Sequence, residues 1–138
     1  MPAASDDAPA AAAWQRALAL RFPELAPAPL ALLAAQARRE PLEAHATLLA
    51  AGSVWQHALW VERGMLRLFY IDSEGRESNK NFHAEDAFIW PVTEVMQREP
   101  AAFFISALTP AVVWRLPHGA LQAAVGTLPS WTALRLQA

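Results

Sequence analysis

The chain has 138 residues, 54% of them hydrophobic, with a formal net charge of −2 and no cysteine. That length suits one domain able to bury a core without metal or disulfide staples. The missing cysteines exclude a disulfide framework, a thiolate-held iron–sulfur cluster and a Cys nucleophile, and the near-neutral charge excludes a global pull toward nucleic acid or anionic membrane.

Residues 1–12 read as a mobile Ala/Pro tail. The opening "MPAASDDAPAAAAW" carries two Asp and no early Lys or Arg, so it lacks the basic start of a secretory peptide. No apolar run reaches membrane-spanning length, since "FFISALTPAVVW" is broken by Ser106, Thr109 and Pro110. The expectation is a cytoplasmic protein away from the membrane. Lys80 is the only lysine among many Arg, Ala and Pro, a composition associated with high-GC bacterial coding.

Trp14, Leu18, Phe22 and Leu25 recur at helical spacing and predict a first helix ending near Pro23. Pro29 suits the first turn of a second helix, because its missing N–H costs nothing there. That helix is expected to run to about Arg39, with Leu30, Leu33 and Ala37 as its apolar stripe.

After Pro41 the pattern changes to short runs between turn residues. "HATLLAAG" predicts a short strand ending at Gly52, and "HALWVERGMLRLFY" two strands joined at Glu62-Arg63-Gly64. "DSEG" is a tight turn in which Gly75 supplies a positive φ. "RESNKNFH", "AFFISAL" and "AVVWRL" predict three more strands. "PHGALQAAV" and "LPSWTALRLQA" return to helix. Many short strands at near-regular spacing predict a sandwich or barrel rather than alternating β/α units. There is no internal repeat, P-loop, GxGxxG or HExxH.

In the strand "ESNKN" both faces are polar, whereas a core strand buries one apolar face. Two readings are open. One is an edge strand wet on both sides. The other is a cavity-lining strand with Glu77, Asn79 and Asn81 inward and Lys80 in solvent.

The segments "LLAAG", "WVERGMLRLFYIDSEGRE", "FHAEDAF" and "AFFISALTPAVVWRL" resemble, in order and spacing, the effector domain of Crp/Fnr-type transcription regulators. The strongest part is Val61, Gly64, Arg67, Tyr70, Gly75 and Glu77, which looks like that family's "v..G.vr.y....G.e" hairpin. The resemblance covers roughly Pro29 to Leu136. It implies a mainly β domain with flanking helices: a cyclic-nucleotide-binding-like double-stranded β-helix, or jelly-roll barrel, over residues 13–128. It also implies that residues 129–138 begin a dimerisation helix, which in the family leads to a helix-turn-helix.

Cyclic-nucleotide binders of the family place a Glu on the ribose through an F-G-E element and an Arg on the phosphate through R-[ST]-A. Here Phe88 matches, but Ile89 and Trp90 stand where Gly and Glu belong, and Ala101 stands where the Arg belongs. A buried phosphate without a cation or aimed N–H donors costs several kcal/mol. Pro91 would also alter the short helix whose N–H groups cradle the phosphate. Arg98 could substitute after a register shift. Trp90 falls where the nucleotide would lie and is expected to fill or cap the cavity.

A haem sensor would need an axial ligand, and His45, His57, His83 and His118 are scattered; His83 stays a candidate because it ends the polar strand. A cupin-like metal enzyme is the rival on a similar barrel, but its H-x-H pair is missing.

The sequence therefore predicts a non-enzymatic sensory domain of a Crp/Fnr-like regulator, without a helix-turn-helix in this chain and not binding cAMP. The alternative is a free-standing β-roll binding another small molecule. The expected ligand-contacting residues are Glu77, Asn79, Asn81, Phe88, Trp90 and Arg98, with no metal or cofactor. The partners expected are a small-molecule effector of unknown identity and a second copy in a full-length homodimer, with no DNA binding by this chain alone.

Overall fold

The computed structural model describes residues 3–137. In chain order the elements are α1 (Ala3–Arg21), α2 (Pro27–Ala35), β1 (Arg38–Leu42), β2 (Thr47–Leu49), β3 (His57–Arg63), β4 (Leu66–Ile71), β5 (Glu77–His83) and β6 (Phe88–Ile89). They continue with α3 (Glu94–Arg98), β7 (Phe104–Ala107), β8 (Ala111–Pro117), α4 (His118–Val125) and α5 (Pro129–Gln137). The chain divides into two compact units, residues 3–38 with 116–137, and residues 39–115.

The first unit is helical. Trp14, Ala17, Leu18 and Phe22 are buried along one side of α1 and its exit, as the helical spacing predicts. The Trp14 indole N–H donates to the Ala34 carbonyl at 3.1 Å and ties α1 to α2. Phe22 and Trp131 place their rings 6.2 Å apart. The Glu24 carboxylate accepts from the Ser130 N–H at 2.9 Å and from its hydroxyl, which caps α5. Two expectations are corrected here. Residues 3–12 are not a loose tail but the start of α1, because alanine, the best helix former, carries the helix through despite Pro9. The second helix ends at Ala35 rather than near Arg39, and Arg38 opens β1 instead.

The second unit is the β-roll. One sheet has strand order β1-β8-β3-β6 and the other β2-β7-β4-β5. Their inner faces meet in a core of Leu59, Val61, Ala111 and Val113 from the first sheet and Leu49, Leu66, Leu68, Ile105 and Ala107 from the second, with Trp55 at the edge. The alternation within Leu66-Arg67-Leu68 is what sorts these side chains between faces. This is the mainly β jelly roll with flanking helices that the sequence implies.

Two reversals make the hairpins. At Gly64 the backbone has φ +91°, and a Cβ there would sit 2.5 Å from the Pro110 carbonyl oxygen. Only glycine satisfies both constraints. In the next turn the Asp72 carboxylate accepts from the N–H groups of Glu74 and Arg76, each at 2.9 Å.

β5 lies at the edge of its sheet and is exposed from Glu77 to Phe82. The edge-strand reading of "ESNKN" is the one that holds. Consecutive residues Leu68 and Phe69 on β4 oppose Asn81 and Asn79 on β5, so Lys80 is the extra residue of a bulge.

Candidate functional site

The bulge decides what β5 can present. Directly paired residues share a sheet face. Asn81, opposite Leu68, and His83, opposite Leu66, therefore take the core-side face. Asn79, opposite Phe69, takes the other. The expectation that Glu77, Asn79 and Asn81 share one inward face does not hold. It assumed unbroken alternation, and one inserted residue inverts parity.

Glu77 and Asn79 instead gather around Arg67. Its guanidinium lies 3.0 Å from the Glu77 carboxylate, donates to the Asn79 side-chain oxygen at 3.0 Å, and sits 3.9 Å above the Phe69 ring. Phe69 is stacked in turn on Phe104 at 5.2 Å. Glu77 and Asn79 are thus paired within their own sheet and need no ligand to pair them.

Phe88 and Trp90 fall on a different surface. Ile89 pairs with Leu59, a core residue, whereas Phe88 pairs with Trp60 on the opposite face. The Trp90 ring lies 5.7 Å from that of Phe88. Trp90 is 5% exposed and lies with Phe88 outside the interior core, so of the two expectations, filling or capping the cavity, filling does not hold. Its neighbour Ile89 packs on the core instead.

Arg98 sits on α3 and is exposed, paired with Glu94 at 3.2 Å across one helical turn. The structure therefore brings Glu77 together with Asn79, and Phe88 together with Trp90. It does not bring the six residues into one site.

The position that the resemblance assigns to a phosphate is apolar. Ala101 and Met96 pack against the interior core, beside Ile89 and Phe103. The Ala101 N–H donates to the Ser53 carbonyl and its carbonyl accepts from the Gly52 N–H, both at 2.8 Å. α3 does form after Pro91, with Thr93 as its cap. The Thr93 hydroxyl accepts from the Met96 N–H at 3.1 Å, so that helix-start donor is already used.

The pairing of Gly52 and Ser53 with Ala101 was not foreseen, because nothing in the local sequence of a Gly turn names its distant partner. The role of Arg67 had a signal: one charge embedded in an apolar strand needs a nearby acceptor.

His83 is half-buried, and that burial holds its pKa below the ordinary histidine value. Among the described residues no three His, Cys, Asp or Glu side chains gather as a metal site. Among them, too, no helix is long and apolar enough to cross a membrane.

Comparison with known proteins agrees with this architecture. The cyclic nucleotide-binding domain family matches residues 39–127. Among solved structures, the sensor domain of the transcriptional regulator DNR from Pseudomonas aeruginosa superposes with a TM-score of 0.80 at 18% identity, covering 92% of this chain and 87% of that one. The N-terminal domain of a transcriptional regulator from Streptomyces coelicolor A3(2) gives a TM-score of 0.60 at 23% identity, covering 82% and 80%. The Thermus thermophilus catabolite activator protein gives 0.64 at 18% identity and 82% of this chain, which spans only 52% of that protein's length. A search of curated proteins by sequence gave no match. At these identities the structural likeness speaks to the fold, which is that of Crp/Fnr-type regulator sensor domains. On the match over residues 39–127, this chain belongs to the cyclic nucleotide-binding domain family.

Proposed function

We propose that the domain is the sensory half of a Crp/Fnr-type transcription regulator, regulatory rather than catalytic, and that its signal is not a cyclic nucleotide. The observation that carries the second part is Ala101. It packs on the apolar core at the place where a cyclic phosphate needs a cation. Arg98, the nearest substitute by sequence, is exposed and paired with Glu94. A desolvated phosphate facing Met96 and Ala101 has no charge partner. The first part rests on the likeness to two sensor or N-terminal domains of regulators over most of their length. On this reading α5, which leaves Leu136 84% exposed, is the beginning of the helix along which two copies pair.

The coding sequence beyond Ala138 tests the regulatory reading. An in-frame segment with the pattern of a winged helix-turn-helix is the expected result. An in-frame continuation into a catalytic domain would overturn it.

A further inference from the structure

We infer that α5 is held down by a pH-sensitive latch, the packing of Trp131 against a neutral His118, and that protonation of His118 releases α5 while the β-roll stays folded.

His118 opens α4 and is 6% exposed, yet neither of its ring nitrogens has a hydrogen-bond partner. A neutral imidazole carries one N–H and an imidazolium two. Adding the proton therefore places a charge and a second unpaired donor in a buried site, and a buried charge is costly unless paired. The position in the helix adds to that cost. His118 is the first residue of α4, its cap Pro117 makes no side-chain hydrogen bond, and the positive end of a helix dipole disfavours a cation.

No neighbouring charge offsets this. His118 is the only titratable residue of α4, and α2 has none. On α1 and its exit the described charged side chains are Arg16, which is exposed, Arg21, which donates to the Ala17 carbonyl at 3.2 Å, and Glu24, which is bonded to Ser130. On α5 the one charged residue is Arg135, which is exposed. Arg115 of β8, three residues before His118, is paired with Glu40. None of them bonds to the imidazole, and burial alone holds its pKa below 6.5.

α5 is the element that yields. Trp131 is its one buried residue, and its ring lies 6.3 Å from that of His118 and 6.2 Å from that of Phe22. α4 is fixed by Leu121 and Val125, both fully buried. Local opening occurs where the fewest buried contacts are given up, so His118 reaches water by the departure of α5. Trp131 does not rescue the charged form, because the rings are tilted by 45° and lie beyond the roughly 6 Å over which an aromatic face attracts a cation. The Glu24 cap does not fail over the same range. The Ser130 hydroxyl holds that carboxyl below its ordinary 4.5, so it stays ionised at mildly acidic pH.

The sign follows from the lowered value. Docking of α5 is fully stabilised above about pH 6.5, where even a freed imidazole is neutral, and weakens as pH falls below it. One proton raises the opening constant by up to about tenfold per pH unit. If α5 begins a pairing helix, as proposed above, acid loosens the root of that helix; the latch itself does not rest on that reading.

Hydrogen–deuterium exchange of the whole chain tests the latch, at about pH 7.5 and about pH 5.5 on either side of the ordinary histidine value, with labelling times scaled for the intrinsic exchange rate. Residues 129–137 should lose protection by up to about tenfold at the lower pH, β3 and β7 should not, and His118→Phe should remove the difference. A second measurement follows the His118 imidazole by NMR in the parent and in Trp131→Ala. Removing the anchor should raise the His118 pKa toward 6.5, because docking and protonation affect each other equally. Equal protection of residues 129–137 at both pH values, an acid response that persists in His118→Phe, loss of protection in β3 and β7 in step with α5, or a His118 pKa unmoved by Trp131→Ala would each overturn the inference.

Discussion

Glu62 shows how one side chain can hold three strands. Its carboxylate accepts from Arg39 of β1 through two bonds, 3.0 and 2.8 Å, and from the Trp114 indole of β8 at 2.9 Å. The hydrogen bond from Arg39 is the chief reason its pKa is held below the ordinary value near 4.5, against the opposing effect of burial. A carboxylate with a lowered folded pKa contributes stability that is present above the unfolded value and lost as pH falls through the folded one. Acid unfolding below about pH 4.5 should therefore be less steep in Glu62→Gln. Glu62→Ala, which removes the acceptor of all three of these hydrogen bonds, should cost about 2 kcal/mol in urea denaturation at neutral pH. His118 works at another pH. It is 6% exposed, neither ring nitrogen has a hydrogen-bond partner, and burial lowers its pKa from 6.5. The unfolded chain takes up a proton there more readily than the folded one, so the contribution is whole above about 6.5 and lost as pH falls below it. His83 shifts in the same direction. Thermal melts of His118→Phe should show a flatter decline between neutral and mildly acidic pH than the parent. An unchanged slope would assign that decline to other groups.

At the scale of elements, the two glycine turns separate conformational from steric demands. Gly64 and Gly75 have φ of +91° and +82°, but only Gly64 has neighbours within reach of an added Cβ. Gly75→Ala should cost about 1 kcal/mol for the left-handed backbone alone. Gly64→Ala adds a clash with Pro110 and Ala111 and should cost about 3 kcal/mol or more, read as the difference between the two denaturation midpoints. Both turns were legible in the sequence: Gly64 stands between two apolar runs, and Gly75 ends the turn-forming "DSEG". So were β3, β4, β7 and β8, whose apolar residues report burial directly. β1 was not legible: "RREPL" has little apolar signal, and its place is set by pairing with β8 and by Arg39 meeting Glu62 across the sheet. β6 is two residues long, below what a pattern can register. The bulge at Lys80 was the most consequential omission, because it sent Asn79 and Asn81 to opposite faces, and only the register with β4 reveals it. The placement of Phe88 and Trp90 failed for a similar reason: proximity in sequence to a ligand motif does not say which face of β6 a side chain takes.

At the scale of the whole molecule, the family's fold is present, and on the function proposed above the chemistry of its nucleotide site is not. The β-roll needs apolar residues at its inner positions and glycine at its turns, and the chain has them. A phosphate site needs a cation and free N–H groups, and here Ala101 and Met96 face the core while the Ala101 and Met96 N–H groups are bonded to Ser53 and Thr93. That difference predicts that the chain binds neither cyclic nucleotide. Isothermal titration calorimetry of the chain with cAMP and with cGMP measures it most directly. The result predicted is no saturable heat with either nucleotide, and a saturable isotherm with micromolar affinity for either one would contradict it.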